Sequence, residues 1–383
     1  MPARRGVFLA LYRNELEKVW RHRGRALLIV LILFVLGGNY LSYRAYHQQQ
    51  MAIVQSIAAA KAQVSHAQNQ LANAPASKEP NLRHIVIADK QILSQMESQS
   101  VQRVNTRQQL HQLQAGLANQ PLSARGNTQE FIALDRYRLS HGITSYAPNG
   151  NNGLRLVGQI FSTGVMMLIA LVAIGISADR MSGEFEGGTW GGLLLHAPYR
   201  RLAYSAKSLA SITIIWLFMI AAALGFLGGG SLLMGIGNAN APHIVGPHFT
   251  LQNSIPPQLI VPSQHFPIIP QWSYDFAAMG LAMFSVGILV LVVMAISIIT
   301  RSTVISLIAG ALLVISRDLA HLVGPLSVLD PAIHLSLIAD WTGQLAQQYV
   351  MPSLTLPSGI LILTLWGGIS LLFGLWWSQR QDV

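Results

Sequence analysis

Long apolar runs alternate with polar stretches along the 383-residue chain, at 26–46, 154–177, 205–236, 274–299, 304–324 and 358–377. About 20 mainly apolar residues cross a hydrocarbon core of about 30 Å as a helix. The pattern therefore predicts an all-α polytopic membrane protein with six transmembrane helices. The stretches between the runs differ in kind. Residues 1–25 place Phe8, Leu9, Leu11, Tyr12, Leu16, Val19 and Trp20 at mostly helical spacing among charged positions. That is the mark of an interfacial elbow helix lying against membrane lipid.

Residues 47–153 form the one large polar region. Ile53, Ile57, Ala60, Val64, Ala67 and Leu71 step by four and three, as in a coiled-coil seam. Asn73 to Ser77 breaks this helix, and a second polar helical stretch is expected over about 82–117. Together they predict a helical hairpin inserted between spans one and two. Residues 119–153 are then the irregular return to the membrane. Residues 237–273 hold seven prolines and no Lys, Arg, Asp or Glu, so they predict a non-helical loop. Residues 325–357 carry Pro325, Pro331 and Pro352 and read as short re-entrant or interfacial helices.

Composition agrees with this layout. The chain is 51% hydrophobic and only 10% charged, against roughly 25% charged in soluble domains. Its formal charge of +10 first suggests nucleic acid, but position argues for membrane orientation instead. Seven basic and two acidic residues crowd the first 25 positions. Arg180, Arg200, Arg201, Lys207, Arg301 and Arg380 share that side under six spans, whereas 237–272 and 328–357 have no Lys or Arg. Basic loops face the cytoplasm, so both termini (tail 378–383) and the connector 178–204 are expected there. The hairpin and the two Pro-containing segments are expected outside. The chain has no cysteine, hence no disulfides or thiolate chemistry, which fits a prokaryotic inner membrane.

Candidate chemistry is sparse. No G-x-x-x-x-G-K-[ST] or H-E-x-x-H pattern occurs, so no catalytic site and no metal site are expected. His243, His248 and His265 match no standard ligand spacing. The richest stretch is Met181 to Lys207, MSGEFEGGTWGGLLLHAPYRRLAYSAK. Glu184 and Glu186 are expected at the start of a short helix, where carboxylates favour free N–H groups. Thr189 is its candidate cap, Leu193, Leu194 and Leu195 its apolar ridge, and Pro198 its stop. Arg201 is expected to meet headgroups or an acidic partner surface. A second constellation is Arg317, Asp318 and His321 in span five, a candidate pathway or gate. The alternative for these three is pairing at the membrane interface.

The order Gly183-Glu184, Gly188-Thr189, Leu193 to Leu195, Pro198, Arg201 and Lys207 resembles the cytoplasmic segment of ABC-2 type transporter permeases. The elbow, the six spans, the insertion after span one and the broken helices before span six resemble that family too. The resemblance implies a coupling helix within this segment that docks into a nucleotide-binding ATPase subunit. It also implies a homodimer or heterodimer with a second permease chain, and export as the direction of transport. ATP and Mg²⁺ would then sit on the ATPase, with no cofactor on this chain. The hairpin is a candidate seat for an extracellular accessory protein. The competing reading is a non-transporting membrane scaffold or sensor whose hairpin binds an envelope partner.

Overall fold

The computed structural model describes residues 2–73, 86–87, 104–117, 122–146, 151–161, 163–188, 200–252, 258–260, 267–319 and 324–380. The chain starts with one unbroken helix, α1, Pro2–Ala72. At 1.5 Å per residue its 71 residues extend about 107 Å. The expected elbow, first span and first hairpin arm are thus segments of one rod, with no joint near residue 25. A lone Gly24 costs a helix only about 1 kcal/mol, and no proline follows Pro2 until Pro75. Past the span, Val64 and Ala67 of the expected seam are buried. Of the second arm expected over about 82–117, only residues 86–87 and 104–117 are described.

The end of the polar region departs from expectation. Strand β1 (Val104–Asn105) precedes helix α2 (Thr106–Leu117), and a further helix, α3, runs Leu122–Ser140 before strand β2 (Ser145–Tyr146). The Gly, Asn and Pro residues that suggested a loop over 119–153 concentrate after His141. Ahead of them, TQEFIALDRYRLS has no helix breaker and buries Ile132 and Asp135. Asp135 pairs with Arg138 at 2.5 Å, whose guanidinium covers the Tyr146 ring at 3.5 Å.

Helices α4 (Gly153–Ile160), α5 (Thr163–Ser177) and α6 (Asp179–Glu186) follow. Next come α7 (Arg200–Met234), α8 (Gln271–Thr300), α9 (Thr303–Leu319) and the closing helix Leu356–Arg380. Among the described residues five helical stretches are long and apolar enough to cross a membrane, one of them being α5 and α6 taken together over Val165–Glu186. The remaining expected span, span five, is α9, apolar but 17 residues long, about 25 Å.

The Pro-rich loop is ordered as two antiparallel ribbons. Strand β3 (Pro242–Ile244) pairs with β6 (Ile268–Pro270), and β4 (Thr250–Gln252) with β5 (Gln258–Ile260). Pro242 and Pro270 face each other at one end of the first ribbon, where a missing N–H is tolerated. The helical reading therefore holds with three two-stranded ribbons added. Short 3-10 turns at Gly324–Leu329 and Ile333–Leu335 lead to α10 (Leu337–Trp341) and α11 (Gln344–Tyr349). These are the broken helices expected over 325–357.

Small residues set the packing. A Cβ on Gly225 would lie 2.8 Å from Val35, and one on Gly229 2.7 Å from Asn39. Four residues apart on α7, they let it lie directly against α1, as small residues do between membrane helices. Gly310 likewise seats α9 on Ile174, 2.8 Å from its would-be Cβ. The core between these helices is mainly apolar, with Ile169, Ile215, Met219, Leu289 and Ile298 nearly free of solvent and a few serines such as Ser211 and Ser285 among them. Glu15, Asp179, Arg201, Lys207, Thr303 and Gln379 meet at one end of the bundle, joined by side-chain bonds. The ribbons and broken helices occupy the other.

Candidate functional site

The end that gathers Glu15, Lys207 and Thr303 carries a polar network around α6. Its centre is Lys207, on the second turn of α7 and 1% exposed. Lys207 Nζ lies 2.9 Å from Glu15 Oε1 and 2.5 Å from Glu184 Oε1. Glu184 Oε1 also accepts from Lys18 at 2.9 Å, and Glu15 Oε2 from Arg180 at 3.3 Å. Glu15, Glu184, Arg180 and Lys207 are each at least nine-tenths buried. Alongside, Arg23 binds the Asp179 carboxylate and the Gly175 carbonyl, the latter at 3.2 Å. A cleft of about 340 Å³ opens beside them, lined by Lys18, His22, Arg23, Asp179, Arg180 and Glu184. Charges this dry persist only when paired, because desolvation costs several kcal/mol per ion.

The other face of α6 is bound by neutral and singly charged hydrogen bonds. Ser297 Oγ donates to the Ala178 carbonyl at 2.5 Å and accepts from Ser182 N at 3.0 Å. Ser182 Oγ meets Thr303 Oγ1 at 3.0 Å. The Glu186 carboxylate accepts twice from Thr303, from its backbone N–H at 2.8 Å and from its hydroxyl at 3.1 Å. Between α8 and α9, Arg301 adopts a left-handed φ of 51° and lies 5.2 Å over the Phe185 ring. Thus α6 is fastened on one side to α1 and α7, and on the other to the α8–α9 turn.

The residues singled out from the sequence fall as follows. Glu184 does not start a helix; it lies near the C-terminal end of α6, buried in the ion network. Its partners Lys18 and Lys207 outcompete any helix end. Glu186 caps a helix N-terminus, but that of α9 across the bundle. Thr189, Leu193, Leu194, Leu195 and Pro198 lie outside the described residues. Arg201 is exposed and hydrogen-bonds Gln379 Oε1 of the closing helix, and Arg200 donates to the Gln379 carbonyl at 3.4 Å. The interfacial basic residues Lys18 and Arg23 turn inward to carboxylates, because α1 lies against α6 and α7.

Span five shows less of what was expected. Arg317 is 7% exposed in the last turn of α9, beside Val314, Ala332 and Ser336. Its carbonyl accepts from the Tyr349 hydroxyl at 3.1 Å. The side chain of Asp318 and all of His321 lie outside the described residues, so their pairing with Arg317 is not on view.

The sequence reading missed a second buried pair at the far end. His334 Nδ1 lies 2.8 Å from Asp340 Oδ2 and Nε2 lies 2.8 Å from the Val328 carbonyl, with both side chains fully buried. Both ring nitrogens thus face oxygens, a setting that favours the protonated ring, while burial raises the Asp340 pKa in turn. Burial pulls the His334 pKa down, but the Asp340 hydrogen bond and charge, the Val328 carbonyl and Asp330 more than reverse it, leaving it raised. Nearby His243 binds Gln271, which donates to Asp275 at 2.8 Å. The His243 ring stacks on Tyr274 at 4.3 Å, and Tyr274 on Trp341 at 5.7 Å. Burial holds His243 below its ordinary pKa. Lone ionisable residues in apolar stretches were the available signal for Lys207, His334 and Asp340, whereas Glu15, set among charged neighbours, carried no such signal. Among the described residues no group of three His, Cys, Asp or Glu could hold a metal ion.

Five long apolar helical stretches, a short sixth and a charged network at one end define a multi-pass helical membrane protein. The chain belongs to the ABC-2 family of transporter proteins: the family model described as "ABC-2 family transporter protein" matches residues 9–383. No curated protein and no solved structure matches the chain. It is therefore an ABC-transporter permease, a membrane transport subunit of a kind that works with a nucleotide-binding ATPase subunit.

Proposed function

We propose that this permease is an exporter with six spans and both termini in the cytoplasm of a prokaryotic cell. A separate ATPase grips it through residues 181–207, and two permease chains, alike or homologous, form the transport unit. ATP and Mg²⁺ are used on the ATPase alone. The observation that carries this reading is the double fastening of α6. The segment that follows it, 187–199, is tied at its start by Glu184 and Glu186 and at its end by Arg200 and Arg201. A push delivered between such ties reaches α1, α7, α9 and the closing helix together. The hairpin at the far end is then external and available to an accessory protein.

Glu184 is too deeply involved in the fold to test docking alone. Replacing Leu193 and Leu194 together by Ser is the cleaner change. The expected result is loss of ATPase co-purification with unchanged thermal stability of the permease. Retention of the ATPase by a folded double variant overturns the docking assignment and favours a membrane scaffold.

A further inference from the structure

Glu186 and Thr303 lie 117 residues apart in sequence and were not expected to meet. Glu186 ends α6, the helix that leads into the segment proposed to face the ATPase. Thr303 begins α9, an apolar helix of 17 residues. The contact is two-pronged: one carboxylate oxygen on the backbone N–H at 2.8 Å, the other on the hydroxyl at 3.1 Å. A bidentate contact transmits rotation as well as translation, because neither bond can swivel without breaking the other. The carboxylate also sits at the positive end of the α9 dipole.

The neighbouring bonds extend the contact into a seam. Ala178, at the N-terminal cap of α6, and Ser182 and Glu186 within it recur every four residues and so fall on one face. All three bond Ser297 or Thr303. Arg180 and Glu184 occupy the opposite face and are ion-paired. The two faces differ in strength. The ion-paired face is buried and anchored to three partners. The Glu186 end is exposed, so it is the bond that can remake itself at low cost. Thr303 and Arg317 are 14 positions apart on one helix, about 21 Å. Arg317 ends beside the broken helices of the far side, where its carbonyl holds Tyr349.

We propose that Glu186 and Thr303 form a latch through which movement of the ATPase-facing segment is passed to α9, and thence to the far end. The two are positioning residues for the transport cycle; neither touches cargo. The inference rests on the permease reading above, and its test keeps the two apart. The chain has no cysteine, so spin labels placed on introduced cysteines before the ATPase is added report from chosen sites of this chain alone. Labels at Ile315 and Leu361, both exposed, follow α9 against the closing helix in the reconstituted permease–ATPase complex.

Adding ATP and Mg²⁺ is expected to shift that distance in the wild-type complex. Glu186→Ala and Thr303→Val should each abolish the shift while the ATPase stays bound and hydrolyses ATP. Glu186→Gln keeps one acceptor for the N–H and offers an amide to the hydroxyl, so it should restore the shift. Thr303→Ser should leave it intact. A full shift in Glu186→Ala, no shift in the wild type, or loss of the ATPase from Glu186→Ala each overturns the latch. Failure of the wild-type chain to retain any ATPase overturns the permease–ATPase reading instead.

Discussion

The two ends of the bundle hold their buried charges in opposite ways. At the end with Glu15, one lysine joins residues 192 and 23 positions away, tying three helices through a shared set of charges. At the far end, His334 binds Asp340 and Val328, each six positions away, and Gln271 binds Asp275 four away. The first arrangement exists only when distant helices are assembled. The second is made mainly of local pairs, with His243 bonded to Gln271 from 28 positions away and a stack of His243, Tyr274 and Trp341 laid beside them. The near end thus depends on how distant helices are assembled, whereas the His334 pair at the far end is held within one stretch of chain.

The largest effect that tests this contrast is at Lys207. Lys207→Met keeps the length of the side chain and removes the shared cation. Breaking a buried pair costs about 3–5 kcal/mol. Glu184 keeps Lys18 and Glu15 keeps Arg180, so the lower part of that range is expected. A large drop in thermal midpoint should follow, with exposure of Glu15, Arg180 and Glu184 to hydrogen exchange and labelling. Adding Glu184→Gln should recover part of the loss, since the two sites share one interaction. Strict additivity would mean the network is a set of independent pairs.

Much of this contrast was invisible in the sequence, and the reason is physical. Helix length, the ends of α7, α8 and the closing helix, and the proline-broken stretch before it follow from local periodicity and backbone chemistry. So does the position of Glu184 and Glu186 near one membrane face. What local rules cannot supply is which helix lies beside which. Lys18 and Arg23 read as headgroup ligands until α6 is placed against α1. Glu186 read as a cap for its own neighbour until α9 is placed beside it. The continuity of α1 was hidden for a different reason: amphipathic and apolar segments obey the same 3.6-residue period, so composition changes while the helix does not. The helix at 122–140 was obscured by the loop-forming residues that follow it.

A smaller effect is expected at the far end, and it depends on pH. His334 has its pKa raised by folding, so it stabilises the native state fully below its unfolded value of about 6.5. That contribution fades as pH rises from about 6.5 through the raised folded value. Hydrogen exchange, corrected for intrinsic rate, should show protection of 324–349 declining over that window. Because the pair is local, protection of 179–186 should stay level. Parallel loss at both ends would mean that they are not separately held.

The smallest effect belongs to a pair at the near end itself. Arg21 and Glu17 lie 2.5 Å apart as an i,i+4 pair, with side chains 74% and 51% exposed. On distance alone it equals the Lys207–Glu184 contact at 2.5 Å. Water screens it, and both long side chains lose rotamer freedom to form it, so such pairs contribute only about 0.3–0.5 kcal/mol. Arg21→Ala should therefore leave the thermal midpoint nearly unchanged and its small effect should vanish at high salt. A loss approaching that of Lys207→Met would show that charge count, rather than burial between distant helices, sets the strength of this end. The near-end network would then be a surface feature that happens to be covered, and its contrast with the local pair of His334 would lose its meaning.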